Sequence, residues 1–205
     1  MELLLATQNP HKLEELRILL SEYGVHIHSL LDHPEIGPID ETGTTLAENA
    51  LIKARTAFEI TGLACIADDT GLEVEALNGE PGVYSARYAG ENASYDENVE
   101  KLIDAMNTFP DHARGASFRT AAVYVDKDHE IIAHGEVAGE ITRQRFGKQG
   151  FGYDPVFYVL ERKKTYAQMS LDEKNQLSHR QRAFTDLLAQ LRAKHPAFDM
   201  EQPIS

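Results

Sequence analysis

The sequence holds a single cysteine, Cys65, among 205 residues, so no internal disulfide can form and the fold must stand on its core. Cys65 sits in an apolar run with acidic neighbours. That is the setting of a core thiol, because a reactive thiolate needs cationic surroundings. Positive charge is scarce as well: 20 Lys and Arg stand against 33 Asp and Glu, a formal net charge of −13. Nucleic acids and anionic membrane surfaces require net basic patches, so neither is an expected partner. A small anionic ligand stays compatible, provided that a few cations and a metal converge locally. No apolar run approaches the roughly 20 residues that span a bilayer. The opening MELLLATQNPHKLEEL lacks the basic flank and cleavage site of a signal peptide, and a cytoplasmic protein is expected. There is no internal repeat, no low-complexity segment and no Pro/Gly/Ser-rich linker. GxSxG, HExxH, GxGxxG and the Walker glycines are missing, and the nine histidines are scattered without zinc spacing. The expectation is one domain over 1–205, with about the last ten residues as a tail.

What is there begins with Glu2 to Thr7, a short buried strand. It feeds a helix capped by Asn9 with Pro10 in the first turn and Leu13, Leu16, Leu20 and Tyr23 at helical spacing. Thr45 and Glu48 form a capping box for a helix from Leu46 to about Thr61, stopped at Gly62, and Leu63 to Ala67 is the next strand. A turn-rich loop covers Gly79 to Gly90, and Ser94 with Glu97 caps a further helix carrying Val99, Leu102, Ile103 and Met106. Ala116 to Asp126, Glu130 to Thr142 and Pro155 to Leu160 are strands; Ser170 to His195 is helical, with a possible fresh start at Ser178 and Gln181. Helices and hairpins interleave, which predicts an α/β fold with a mixed sheet and helices packed around it.

Several constellations could carry chemistry. At residues 7–12, TQNPHK, the helix start, the side chains of Thr7 and Asn9 and the Lys12 ammonium could hold a phosphate; the bland alternative is an ordinary cap with a solvated lysine. Asn49 and Lys53, spaced i, i+4, share one helix face. Glu41 and one of Asp68 and Asp69, from different segments, would suit Mg²⁺, which takes one or two carboxylates and fills its other positions with water and phosphate oxygens. The alternative for Asp68-Asp69-Thr70-Gly71 is a turn with a cap. The loop Gly150-Phe151-Gly152-Tyr153-Asp154-Pro155 can bring a ring to a flat ligand or simply turn the chain. Lys174, Ser178, His179 and Arg180 stand beside a helix start, either as an anion site or as plain surface.

Taken in order, ATQNPHKLEEL, DETGTTLAENALIKA, IADDTGLEVEAL, PGVYSARYAG, SFRTAAVYV, GFGYDPVF and MSLDEKNQLSHRQRA resemble the inosine triphosphate pyrophosphatase family, the dITP/XTP pyrophosphatases, across nearly the whole chain. The resemblance implies a Mg²⁺-dependent hydrolase that cleaves non-standard purine nucleoside triphosphates (ITP, dITP, XTP) to monophosphate and pyrophosphate and so cleanses the nucleotide pool. It also implies a homodimer and an elongated mixed sheet in two lobes with a central cleft. By the same resemblance Thr7, Gln8, Asn9, Pro10, His11 and Lys12 bind the triphosphate, with Lys53 as a further cation there. Glu41 and Asp69 hold Mg²⁺, and Asp69 is the base that activates water. Thr70 touches the substrate, Phe151, Gly152, Tyr153 and Asp154 meet base and sugar, and Lys174, His179 and Arg180 complete the base site. The chain departs from the family pattern at Gln8, where a smaller residue is common, and at Thr70, where serine is.

Adjacent strand residues point to opposite faces. Asp68 and Asp69 therefore cannot both face one ion unless the strand ends between them, and the expectation gives Asp69 the metal-facing role and Asp68 a supporting one in orienting the turn, with Asn49 as a second supporting residue. Two rival readings are a Maf-like pyrophosphatase acting on pyrimidine or methylated nucleotides, and a nucleotide-binding regulator without catalysis.

Overall fold

The computed structural model describes residues 2–21 and 24–194, and its strands gather into one mixed sheet. The eight strands follow the order β2-β1-β3-β5-β6-β7-β8, with β4 paired onto β3. They are β1 Glu2–Leu5, β2 His26–Ser29, β3 Cys65–Val74, β4 Pro81–Gly82, β5 Gly115–Val125, β6 Glu130–Ile141, β7 Phe157–Val159 and β8 Lys164–Thr165. Pairing is parallel for β1 with β2 and with β3, and antiparallel for β3 with β4, β6 with β7 and β7 with β8. The helices are α1 Pro10–Leu20, α2 Leu46–Thr61, α3 Tyr95–Met106, α4 Leu171–Asn175 and α5 His179–Lys194. This is the expected mixed sheet with flanking helices.

Local chemistry sets the helix limits. The Thr45 hydroxyl accepts the Glu48 N–H at 3.1 Å while the Glu48 carboxylate accepts the Thr45 N–H at 3.1 Å, closing the capping box of α2, and Gly62 ends it at φ 70°, a left-handed conformation that a side chain would strain. Ser94 and Glu97 do the same for α3. The C-terminal helical stretch is broken between α4 and α5, near the expected restart. The expected places of Tyr23, His195 and the tail lie outside the described residues.

One expectation is corrected. The strand that begins at Cys65 does not stop at Ala67 but runs through Asp68, Asp69, Thr70 and Gly71 to Val74. Antiparallel pairing of Leu72 with Gly82 and Glu73 with Pro81 holds its far end extended, so Asp-Asp-Thr-Gly is strand rather than turn, and Asp68 has no turn to orient.

The chain divides into two compact units. The first comprises Met1–Asp69, Thr120–Gly135 and Gln181–Ser205. In it the alternation of β1 and β3 feeds two cores. Leu3, Leu5 and Ile66 pack with Leu13, Leu16 and Leu20 of α1 and with Phe184 and Leu187 of α5. Leu4, Cys65 and Ala67 pack with Ala50, Ala54 and Ala57 of α2. Each fully buried Leu contributes about 1.5–3 kcal/mol. The second unit, Thr70–Arg119 with Glu136–Arg180, has its own core of Leu72, Val99, Leu102, Phe118, Val137, Phe157 and Tyr166. There the buried guanidinium of Arg114 donates to the carbonyls of Met106, Ile141 and Thr142 at 2.8, 2.5 and 2.9 Å, so its charge lies against backbone dipoles.

Candidate functional site

In the first unit the parity of β3 does more than fill cores. Cys65, Ala67 and Asp69 share the α2 face, whereas Ile66 and Asp68 share the α1 face. The two adjacent carboxylates are thus assigned to different lysines. On the α1 side, Asp68 is buried and its Oδ2 lies 3.1 Å from Lys12 Nζ; Lys12 also donates to the Asp68 carbonyl at 3.4 Å. On the α2 side, Lys53 Nζ is 2.8 Å from Glu41 Oε1 and 3.5 Å from Asp69 Oδ1, and it donates to the Asp68 carbonyl at 2.8 Å. An ammonium carries three donors, and all three have a protein acceptor. Asn49 donates to Asp69 Oδ2 at 3.4 Å and accepts the Gly43 N–H at 2.8 Å.

Gly43 permits this closure. A Cβ there would lie 2.6 Å from Glu48 Cβ and 2.7 Å from Asn49 Oδ1, so the loop that carries Glu41 can lie against α2 only with hydrogen at that position.

Electrostatics follow the crowding. Burial pushes the Asp69 carboxyl above the ordinary aspartate range; Lys53 and Lys12 oppose that, while Glu41 and Asp68 add to it. Burial would depress the Lys53 ammonium, but Asp69, Glu41 and Asp68 together hold it above its usual value. Burial also lifts the Cys65 thiol to about 12. The readings of Lys53 and Lys12 as solvated lysines are excluded, since Lys53 is buried and the Lys12 side chain is mostly so.

At the start of α1, the Asn9 carboxamide oxygen accepts the His11 and Lys12 N–H groups at 3.0 and 3.3 Å, and the Thr7 hydroxyl accepts the Asn9 N–H at 3.2 Å. Two of the amides available to an anion are therefore engaged by the cap. Gln8, Pro10 and His11 are exposed.

The second unit holds the other predicted residues. Arg180 Nη2 donates to Thr70 Oγ1 at 3.2 Å, and Lys174 Nζ is 2.7 Å from Asp154 Oδ2 with both side chains 4% exposed. The same Asp154 oxygen accepts the Phe151 N–H at 2.9 Å. The ring of Phe151 lies 4.8 Å from Lys174 Nζ and 6.0 Å from the Arg180 guanidinium carbon, within cation–π range. Gly150 takes φ 74° and Gly152 φ 58°; at Gly150 a Cβ would fall 2.0 Å from Asp154 Oδ2. Tyr153 is placed differently from its neighbours. It is buried and its hydroxyl donates to the Ser85 carbonyl at 2.9 Å, which makes it a brace beneath the loop. Lys174, Ser178, His179 and Arg180 are all buried, so the reading of this segment as plain surface is excluded. Burying the three ionisable groups among them, Lys174, His179 and Arg180, is costly unless each is paired, and that concentration makes the segment a candidate functional locus.

The chain that carries these two constellations, one of carboxylates with lysines and one of rings with cations, is matched along most of its length by known proteins. The model of the Ham1 family matches residues 3–190. The chain belongs to the Ham1 family. It is 47% identical over 187 residues, 91% of this chain and 94% of the relative, to a dITP/XTP pyrophosphatase of Thermoanaerobacter pseudethanolicus. It is 46% identical over 196 residues, 93% of this chain and 98% of the relative, to one of Pectobacterium atrosepticum. The solved structure of a HAM1 protein from Coxiella burnetii aligns with a TM-score of 0.86 at 41% identity, covering 94% of this chain and 99% of that one.

Sequence reasoning passed over one contributor that the Ham1 fold of this chain brings into play. Phe118 of β5 stacks on the His179 ring, with centroids 4.6 Å apart and planes 13° from parallel, and Tyr166 lies 5.9 Å from His179. Phe118 reads in the sequence as one more inward residue of an alternating strand, and nothing local distinguishes it.

Proposed function

We propose that this Ham1-family chain hydrolyses non-standard purine nucleoside triphosphates, ITP, dITP and XTP, to the nucleoside monophosphate and pyrophosphate. The observation that carries this reading is Asp69: a buried carboxylate on the α2 face, shared with Glu41 through Lys53 and steadied by Asn49. The relatives' names, dITP/XTP pyrophosphatase, support the substrate class.

The donor set fits a hard divalent cation. Glu41 and Asp69 offer oxygen only, and they come from separate segments yet reach one ammonium, which is the ligand chemistry of Mg²⁺. Glu41 and Asp69 would hold Mg²⁺, which when bound offsets phosphate charge and makes water more acidic. The chain's own residues do the rest. Asp69 accepts the proton of a water whose oxygen bonds to the α-phosphorus, while the bond to the leaving pyrophosphate oxygen breaks. Burial moves this carboxyl toward the working pH, where a general base is most effective. Lys53 keeps both acids in place, and Lys12, held by Asp68, supplies positive charge for the leaving pyrophosphate.

Selection of the base falls to the rings and cations of residues 151–180. Phe151 offers a flat face, His179 is held buried against Phe118, and the buried Arg180 offers donors. A 6-oxo purine presents an acceptor at C6, whereas adenine places a donor there and would leave buried donors unpaired. Sites built on such pairing discriminate by about 10⁴ to 10⁵. The chain acts as a homodimer in the cytoplasm on this reading, which the family resemblance alone supports. No helix among the described residues is long and apolar enough to cross a membrane.

The test is pyrophosphate release from ITP, dITP, XTP, GTP, ATP and dUTP, with Mg²⁺ and with chelator. Rapid release from the first three with Mg²⁺ alone is expected. Equal rates on ATP, or orthophosphate as product, would overturn the proposal.

A further inference from the structure

Away from both constellations, the sheet edge gathers ligands that the sequence scatters. β1 and β2 pair in parallel with Glu2 directly opposite His26, so these two side chains share a face, and His28, two residues further along β2, joins them. One carboxylate oxygen of Glu2 and one nitrogen each of His26 and His28 all lie within 4.8 Å of one another. Glu2 and His28 are already in direct hydrogen-bond contact, and the His26 and His28 rings meet edge to face at 5.1 Å.

A third imidazole stands beside them. The His33 ring centroid is 5.4 Å from that of His28, and its Nδ1 is 3.0 Å from Glu35 Oε1. That leaves Nε2, which is buried and has no hydrogen-bond partner among the described residues. A carboxylate behind one imidazole nitrogen is the arrangement that fixes a ring for metal ligation through the other.

We propose that Glu2, His26 and His28 form a binding site for a borderline transition-metal cation of the Zn²⁺ type. Two imidazoles and one carboxylate are the donors that Zn²⁺ takes at about 2.0–2.2 Å, leaving a fourth position open. Nitrogen donors disfavour Mg²⁺, which prefers oxygen, so this site and the Glu41–Asp69 pair sort different metals. The bound ion cross-links edge strand β2 to β1, the strand that leads directly into residues 7–12.

The experiment is Zn²⁺ titration of the full untagged chain in excess Mg²⁺, read by competition with a chromogenic chelator. Wild type and Asp69→Asn are expected to bind one Zn²⁺ equally, which separates this site from the proposed catalytic acids and makes the result independent of the proposed activity. His28→Gln and Glu2→Gln are each expected to bind at least about tenfold more weakly. Both side chains lie at the sheet surface, circular dichroism verifies the fold of each variant, and either variant alone suffices for the decision. Absence of a Mg²⁺-insensitive Zn²⁺ site in wild type, or unchanged affinity in a folded variant, overturns the proposal.

Discussion

Replacing Lys53 by Met tests the hub of the first unit. The ammonium serves Glu41 at 2.8 Å, the Asp68 carbonyl at 2.8 Å and Asp69 at 3.5 Å, and no other described cation is placed to take over all three. Removing one partner of a buried ion pair costs about 3–5 kcal/mol, because the remaining charge stays desolvated. The Glu41 side chain is 27% exposed and can turn to water, so the lower end applies: about 3 kcal/mol, or roughly 6–12 °C in Tm for a chain of this length. Urea unfolding in chelator at neutral pH measures it. Much of the loss comes from repulsion between the acids left behind, so adding Asp69→Asn should recover about 1–3 kcal/mol, a coupling measurable as a double-mutant cycle. A loss below about 1 kcal/mol for Lys53→Met, or strictly additive effects in the cycle, would show that the lysine does not hold the two carboxylates.

Other consequences are sharp enough to measure. Because burial raises the Asp69 carboxyl above its ordinary 3.8, the folded chain binds this proton more tightly than the unfolded chain. Its ionisation therefore costs stability as pH climbs from the unfolded value through the folded one. In chelator, Asp69→Asn should be more stable than wild type at neutral pH, with the difference shrinking toward pH 3.8; urea midpoints across pH decide it. Gly43→Ala drives a methyl to 2.6 Å from Glu48 Cβ and should cost about 1–3 kcal/mol, with the proposed activity falling through displacement of Glu41. Phe118→Leu removes the stack under His179 and should raise KM for dITP by about two- to tenfold with kcat little changed, since an aromatic pair contributes about 0.5–1.5 kcal/mol. Cys65, with its thiol near 12, should resist thiol reagents at pH 8 until the chain unfolds.

The features legible in the sequence were the local ones. Thr45 with Glu48 and Ser94 with Glu97 announce their helices because a capping box is complete within four residues. That Asp68 and Asp69 point to opposite faces followed from strand parity, and that Asn49 and Lys53 share a helix face followed from their spacing, both short-range rules; the choice of Asp69 over Asp68 rested on the family resemblance. What could not be read depends on distant pairing. Asp-Asp-Thr-Gly has the composition of a turn, yet β4 at Pro81 and Gly82 keeps it extended, so local propensity lost to the sheet. Lys53 was legible as a cation but not as one whose donors are consumed by Glu41, Asp69 and a carbonyl, since those acceptors come from two other segments. Glu2, His26 and His28 are unremarkable in sequence and become neighbours only through the register of β1 with β2.

Hydrolysis of dITP in Mg²⁺ by wild type and Asp69→Asn side by side tests the assignment of the base most directly. The account predicts pyrophosphate and dIMP from wild type, with the rate reduced about 10²- to 10⁴-fold in the variant, and a smaller loss in Asp68→Asn, whose carboxylate serves Lys12. Equal damage from the two substitutions, or an Asp69→Asn enzyme as fast as wild type, would contradict it.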